Sequence, residues 1–182
     1  MTGAPGIEAA DDTQLVEAAR AGDRAAFGQL YGRHARMVHG ILLTRVPLHE
    51  VDDLVHDVFL LALPRLHTLR DSARFAPWLA AIARNRANDY HRQSVEQVEL
   101  TEDLPSGEAG NRIAQDAEAL SVLAIIRSLP DAYREPLLLR LIEGMTGPEI
   151  AERTGLTPGS VRVNLHRGMQ QLRQKLGEKR PG

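Results

Sequence analysis

Residues 49–63 read HEVDDLVHDVFLLAL, and their chemistry is dense: Asp52, Asp53 and Asp57 stand beside His49 and His56. Carboxylates at such short spacing are ligands for a divalent cation. The same residues on one side of a helix would instead form a charged face. At the angular step of an α-helix, Val51, Leu54, Val55, Val58, Phe59 and Ala62 share one face, while Asp52, Asp53, His56 and Asp57 share the other. Leu60 falls within the acidic face, one turn after His56. A leucine ringed by carboxylates has little use in an isolated domain, but it suits a docking surface with an apolar centre and a charged rim. Three readings are therefore open: a metal site, a solvated helix face and a docking face.

The metal reading can be tested on its own terms. DDLVHD resembles the aspartate-rich magnesium motif of all-helical terpenoid synthases. Such enzymes need a second metal-binding set: Asn-Asp, then Ser three residues after that Asp, then Glu. The only Asn-Asp pair is Asn88-Asp89, and Arg92 stands where serine is required. A chain of 182 residues is also short for enclosing an isoprenoid. With no cysteine, thiolate metal sites and disulfides are excluded. No metal and no cofactor are expected.

The elements that would position these residues read as helices throughout. Asp12 is a plausible N-cap for TQLVEAARAG, with Leu15, Val16 and Ala19 at helical spacing and Gly22 as the stop. A second stripe, Phe27, Leu30, Tyr31, Val38, Ile41 and Leu42, runs until Pro47. Ser72 to His91 gives another helical stretch with Phe75, Trp78, Leu79, Ile82 and Ala83 inward. Trp78 offers a flat surface to a base, but its place on the apolar stripe favours packing. SVEQVELTEDLPSGEAGN has little periodicity and holds Pro105, Gly107 and Gly110, so it reads as a linker. Apolar helical segments resume beyond it. The expected fold is all-α: two small helical domains, 12–93 and 116–178, joined by an acidic linker over 94–115.

Charge follows the same division. The net charge is only −2, but residues 96–120 carry seven acids against Arg112, whereas residues 153–182 carry seven bases against Glu178. A basic C-terminal end points to an anionic partner. The start, MTGAPGIEAADDTQ, lacks a basic region followed by an apolar run. No apolar segment approaches the roughly 20 residues that span a bilayer. A soluble, cytoplasmic protein without membrane insertion is the expectation.

The C-terminal end has the more specific pattern. PEIAERTGLTPGSVRVNLHRGMQQL holds a short helix, a turn at Gly155, and a second helix with Thr157 as N-cap and Pro158 at its first position. Ile150, Ala151, Leu156, Val161 and Leu165 are spaced to form a small core. This is a helix-turn-helix, whose second helix enters the major groove of DNA. Ser160, Arg162, Val163, His166 and Arg167 point outward by periodicity, and arginine suits both guanine edges and phosphates.

SLPDAYREPLLLRLIEGMTGPEIAERTGLTPGSVRVNLHRGMQQLRQKL resembles the C-terminal domain of bacterial sigma factors of the extracytoplasmic-function group, through Leu129, Pro130, Arg134, Glu149, Ile150, Ala151, Gly155, Gly159, Val161, Leu165, His166 and Arg167. FGQLYGRH, DDLVHDVF and WLAAIARNRANDY resemble the other domain of that family, so the resemblance covers about residues 12–178. It implies a non-enzymatic protein that binds core RNA polymerase and directs promoter recognition and transcription initiation. Asp52, Asp53, His56, Asp57 and Leu60 would grip the clamp helices of the largest polymerase subunit, which present arginines. His56 replaces the family's usual glutamine. Asn85 would lie near the pocket for a base flipped from the melted strand, with Arg84, Arg86 and Arg92 available to its backbone. Ser160, Arg162, Val163, His166 and Arg167 would read the upstream promoter element as duplex. The polymerase flap and an anti-sigma factor are further implied partners. The alternative is a helix-turn-helix regulator that acts without polymerase; the acidic face with Leu60 and the melting-type segment argue against it.

Overall fold

A computed structural model describes residues 11–98 and 117–178. Among these, every regular element is helical: α1 (Asp12–Arg20), α2 (Arg24–Leu43), α3 (Val51–Ala62), α4 (Phe75–Val98), α5 (Ala117–Arg127), α6 (Asp131–Leu141), α7 (Gly147–Thr154) and α8 (Pro158–Glu178). Short 3-10 turns join α2 to α3 and α3 to α4. The expected linker over 94–115 starts too early, since α4 runs on to Val98. No glycine or proline interrupts Arg92–Val98, and the glutamines and glutamate there suit a helix. The rest of that linker lies outside the described residues.

The first half is a bundle of α1–α4. The apolar face expected on α3 is buried without exception: Val51, Leu54, Val55, Val58, Phe59 and Ala62 are each at most 5 % exposed. This face packs on α2 and α4, whose own buried residues include Leu30, Met37, Val38 and Ile41, and Phe75, Leu79 and Ala83. Trp78 is half-buried, its ring 5.8 Å from that of Phe75, so it serves packing as expected.

The cap of α1 is a correction. Asp11 holds it, accepting from the Gln14 N–H at 2.8 Å. Asp12 turns instead towards α2, where His34 Nε2 lies 2.6 Å from Oδ2 and Arg33 Nη1 donates to Oδ1 at 3.0 Å. Two adjacent aspartates leave the choice of cap open, and a cross-helix partner decides it. The His34 hydrogen bond, opposed by burial and aided by Arg33, holds the Asp12 carboxyl down at about 2.

The second half packs α5, α6 and α7 with α8. Leu123, Ile126, Leu129, Leu137, Ile150, Val161 and Leu172 form its centre. Gly168 allows α8 to lie directly on α6, because a Cβ there would come within 2.9 Å of Leu137 Cδ1 and 3.1 Å of Tyr133 Cβ.

The halves are in contact. Helix α2 lies on α6, and α4 on α7. Gly40 makes the first approach possible, since a Cβ at that position would sit 2.6 Å from Leu139 Cδ2 and 3.0 Å from Glu143 Cγ. Polar groups cross the seam as well. Arg127 Nε and Nη2 donate to the carbonyls of Leu43 and Val46 at 2.9 and 2.8 Å, covering the C-terminal end of α2. Burial lowers the pKa of Arg127 from its ordinary value. Arg153 donates to the Arg33 carbonyl at 2.9 Å. His39 Nδ1 lies 2.7 Å from Glu143 Oε1, with Arg36 Nε 3.5 Å from Oε2.

Asp12 gives this fold a measurable pH dependence. Its depressed pKa favours the folded state above the unfolded carboxylate value near 4, and that stabilisation is lost as pH falls through about 2. Asp12→Asn should lower the unfolding free energy at pH 7 by about 1–2 kcal/mol. Urea titrations at a series of pH values should show the gap to the parent protein closing between roughly pH 4 and pH 2. A variant as stable as the parent at neutral pH would show that the carboxylate contributes nothing.

Candidate functional site

Burying the apolar face of α3 sends its acidic face outward. Asp52, Asp53 and His56 are exposed, and Leu60, one turn beyond His56 on the same side of α3, is 68 % exposed. Leu63, 42 % exposed, extends the apolar centre by one turn and was missed by the sequence reading, which stopped at Leu60. His56 is oriented from below: Tyr31 Oη lies 3.1 Å from its Nδ1, and the two rings meet edge to face at 5.6 Å. Tyr31 is fixed in turn against Phe59, with ring centroids 4.4 Å apart.

Asp57 keeps its place on the outer side of α3 but is not free there. It is half-buried, and Arg86 on α4 donates to its Oδ2 through Nη2 at 2.8 Å and Nε at 3.3 Å. Its angular position on α3 is as expected, but a cation 29 residues away in sequence takes the carboxylate. Among the described residues, no group of three or more His, Asp or Glu side chains is arranged to hold a metal ion.

The four residues expected at a melted strand are not gathered in one place. Asn85 and Arg92 are exposed on α4, with Arg92 paired to Asp89 one turn back. Arg86 is engaged by Asp57. Arg84 points into the seam, where Nε and Nη2 donate to Glu135 Oε2 and Oε1 at 3.1 and 2.5 Å, and Nη2 also reaches the Thr154 carbonyl at 3.2 Å. Successive residues on a helix face different ways, so Arg84, Asn85 and Arg86 leave α4 in three directions, and Arg84 and Arg86 are held by different carboxylates. A second cationic edge, unmarked in the sequence reading, lies between α3 and α4, where Arg65, His67, Arg70 and Arg74 are exposed. Its signal was the run RLHTLRDSAR, with four basic or imidazole side chains and one acid. Arg20 from α1 fastens this segment by donating to the carbonyls of Leu66 and Leu69 and to Ser72 Oγ.

The helix-turn-helix forms as its residues dictate. Thr146 and Glu149 complete a capping box at the start of α7. The Glu149 carboxyl is pulled down, chiefly by the Thr146 backbone N–H and then by its hydroxyl. Gly155 ends α7 at φ 78°, a left-handed conformation that side chains disfavour. Thr157 Oγ1 accepts from the Ser160 N–H at 3.1 Å and opens α8. Ile150, Ala151 and Val161 are buried, with Leu156 and Leu165 packed against them, as expected. Ser160, Arg162, Val163, His166 and Arg167 are all exposed. Ser160 is spent on the cap, since its Oγ also accepts from the Thr157 hydroxyl at 2.8 Å. Between α6 and α8 runs a groove with Leu141, Leu165 and Met169 along it and Arg140, His166 and Arg173 around it.

Comparison with known proteins agrees with this geometry. Residues 30–96 match the family described as Sigma-70 region 2, and residues 119–172 match Sigma-70, region 4. The chain is 32 % identical over 167 residues to the RNA polymerase sigma factor CarQ of Myxococcus xanthus, covering 90 % of this chain and 96 % of that protein. It is 29 % identical to the ECF RNA polymerase sigma-E factor of Escherichia coli K12, across 91 % of this chain and 94 % of the other. Among solved structures, CnrH in complex with the cytosolic domain of CnrY superposes with a TM-score of 0.67 at 29 % identity, over 93 % of this chain and 99 % of that one.

The exposed leucines carry a stability prediction. Since Leu60 and Leu63 face outward, Leu60→Lys and Leu63→Lys should each shift the unfolding free energy by less than about 0.5 kcal/mol. Urea unfolding of both variants measures this. A loss of several kcal/mol would place these side chains in the core and remove the docking face.

Proposed function

The chain belongs to the RNA polymerase sigma factors of the extracytoplasmic-function group, and from that membership we propose how its exposed surfaces divide the work. As a sigma factor it binds core polymerase and directs promoter recognition and transcription initiation. The outer face of α3 docks the clamp helices of the largest subunit: Leu60 and Leu63 supply the apolar centre, and Asp52, Asp53 and His56 the rim. The observation that carries this is Leu60, a large apolar side chain left 68 % exposed, one turn from His56 and Asp57, by a helix whose other face is buried. Carboxylates opposite arginines give steering and register. Asp57 takes part while shared with Arg86.

Asn85 and Arg92, already exposed, meet the melted nontemplate strand, with Arg84 and Arg86 joining once their carboxylate partners let go. The exposed face of α8 reads the upstream element, chiefly through Arg162 and Arg167, with Val163 limited to apolar contact such as a thymine methyl. The groove between α6 and α8 receives the polymerase flap. An anti-sigma factor is a further partner, supported by the complex in which CnrH was solved. The protein acts through binding rather than catalysis of its own, and it works in the cytoplasm where polymerase is. Among the described residues, no helix is long and apolar enough to cross a membrane.

Association with core polymerase tests the docking face. Asp53→Arg with Leu60→Lys should abolish co-purification with core, because reversing a charge opposite arginines costs about 2–5 kcal/mol for paired groups. Asp57 is left untouched, so that the α3–α4 ion pair does not confuse the result. Retention of wild-type pull-down by the double variant would refute the assignment.

Promoter reading has its own test. Arg162→Ala or Arg167→Ala should cost about 1–3 kcal/mol if the side chain makes a bidentate guanine contact, with the loss concentrated at one base position of an upstream-element library. A phosphate contact would weaken all promoters alike and reduce the salt slope by about one. If both variants keep full activity and unchanged base preference, α8 is not the reading helix.

A further inference from the structure

His56 is the one member of the outer α3 face that is neither acidic nor apolar, and its ring is not free to turn. Nδ1 lies 3.1 Å from Tyr31 Oη, and the two rings meet edge to face at 5.6 Å. Tyr31 is half-buried on α2 and packs on Phe59 and the apolar core, so its hydroxyl has a fixed place. Among the described residues, His56 hydrogen-bonds to Tyr31 alone, which leaves Nε2 for solvent or a partner. The neighbouring carboxylates keep to other roles. Asp57 is held by Arg86, and Asp52 and Asp53, about one turn back, are exposed acceptors.

A neutral imidazole has one N–H and one bare nitrogen, and the bond made by the first nitrogen decides what the second can offer. A phenol hydroxyl is a better donor than acceptor, and an imidazole nitrogen is a better acceptor than a phenol oxygen. The pair is therefore strongest with Tyr31 donating to Nδ1, which puts the proton of His56 on Nε2. The surroundings favour the same choice, since an N–H is attracted to the nearby Asp52 and Asp53, whereas a bare lone pair is repelled. We infer that Tyr31 is a positioning residue holding His56 as the Nε2–H tautomer, so that the α3 face offers one neutral donor among its acids, and that the polymerase side chain meeting it carries an acceptor oxygen, carboxylate or amide, rather than a guanidinium. The inference rests on the reading of this face as the one that docks core polymerase. A glutamine in that place could donate or accept; His56 held in this way can only donate. Arginines of the partner then answer Asp52 and Asp53, and His56 demands an oxygen at one point between them, which fixes register.

Without the hydroxyl, two ring orientations and two tautomers are open, and one of these four arrangements presents Nε2–H as docking needs it. With even populations, the affinity for core falls about fourfold. Tyr31→Phe removes only the hydroxyl and keeps the ring against Phe59, and binding of the full chain to immobilised core polymerase reads the loss. In a His56→Gln background, where no ring tautomer exists, Tyr31→Phe should have no further effect, because the hydroxyl acts through the imidazole. A Y31F protein that binds core as tightly as the parent, or that loses equally in both backgrounds, overturns the positioning role. His56→Glu tests the partner's chemistry. It adds a negative charge to a face that attracts arginines, yet it has no donor. Binding should weaken about tenfold or more, because the partner's oxygen is left unpaired and faces a like charge. An H56E protein that binds as tightly as the parent, or more tightly, shows a cation opposite this position and overturns the acceptor.

Nitrogen chemical shifts read the tautomer in the free chain, with no substitution needed in the protein that is measured. Long-range proton–nitrogen correlation spectra of the isotope-labelled full chain, recorded at a pH above the imidazole range, cover its seven histidines, and the His56 signals are those missing from H56Q. The parent should show Nε2 protonated and Nδ1 bare. In Y31F the two resonances should move towards each other as the tautomers mix. A parent protein with the proton on Nδ1, or a Y31F spectrum unchanged from it, overturns the inference. These spectra involve no polymerase, so their failure is distinct from failure of the docking face. If Asp53→Arg with Leu60→Lys keeps parent-level pull-down of core, the docking face is what has failed, and the acceptor opposite His56 falls with it.

Discussion

Helix α2 is the constraint on which the rest of the molecule depends. It packs on α1, α3 and α4 in its own half and on α6 in the other. Its last turns are therefore enclosed on nearly every side, with Met37, Val38, Gly40, Ile41, Leu42 and Leu43 all buried. Burying each of the larger side chains contributes about 1.5–3 kcal/mol relative to exposure. A helix surrounded in this way has no free end, and its final carbonyls need donors. Arg127 supplies them from the second half. The same helix that organises the N-terminal bundle thus also seats the C-terminal domain.

What was legible in the sequence was what one helix dictates about itself. The apolar face of α3 follows from its period, and its acidic face follows by subtraction. The helix-turn-helix follows from Gly155, Thr157 and Pro158, which fix a turn and a start within four residues. What was not legible depends on partners distant in the chain. Asp57 looks like its neighbours on α3, and only Arg86, arriving on α4, distinguishes it. Glu135 and Glu143 read as ordinary acids in and just after a leucine-rich helix, and nothing local announces that each is buried against an arginine from the other half. Gly40 carries no signal in the sequence at all, because a missing side chain has meaning only beside the Leu139 that fills its place.

Polar groups cross the seam beside the apolar ones. A purely apolar contact would be held by buried area alone, with little penalty for a slightly shifted register. Buried ions tolerate only the arrangement that pairs them, because a partner removed leaves an uncompensated charge. Interfaces between domains of one chain are commonly of this more polar kind, and relative motion is their ordinary behaviour.

The ion pair between Asp57 and Arg86 makes two neighbouring surfaces into shareholders of a single carboxylate. Asp57 stands at the edge of the face that α3 turns outward, and Arg86 belongs to the helix carrying Asn85 and Arg92. Any cation drawing on the remaining lone pairs of Asp57 weakens its hold on Arg86, and anything that engages Arg86 leaves Asp57 more negative for an incoming cation. Ligands on the two faces are then thermodynamically linked, each strengthening the other by the same factor. Cooperation between neighbouring surfaces can in this way be carried by one hydrogen-bonded pair, with no movement of either helix.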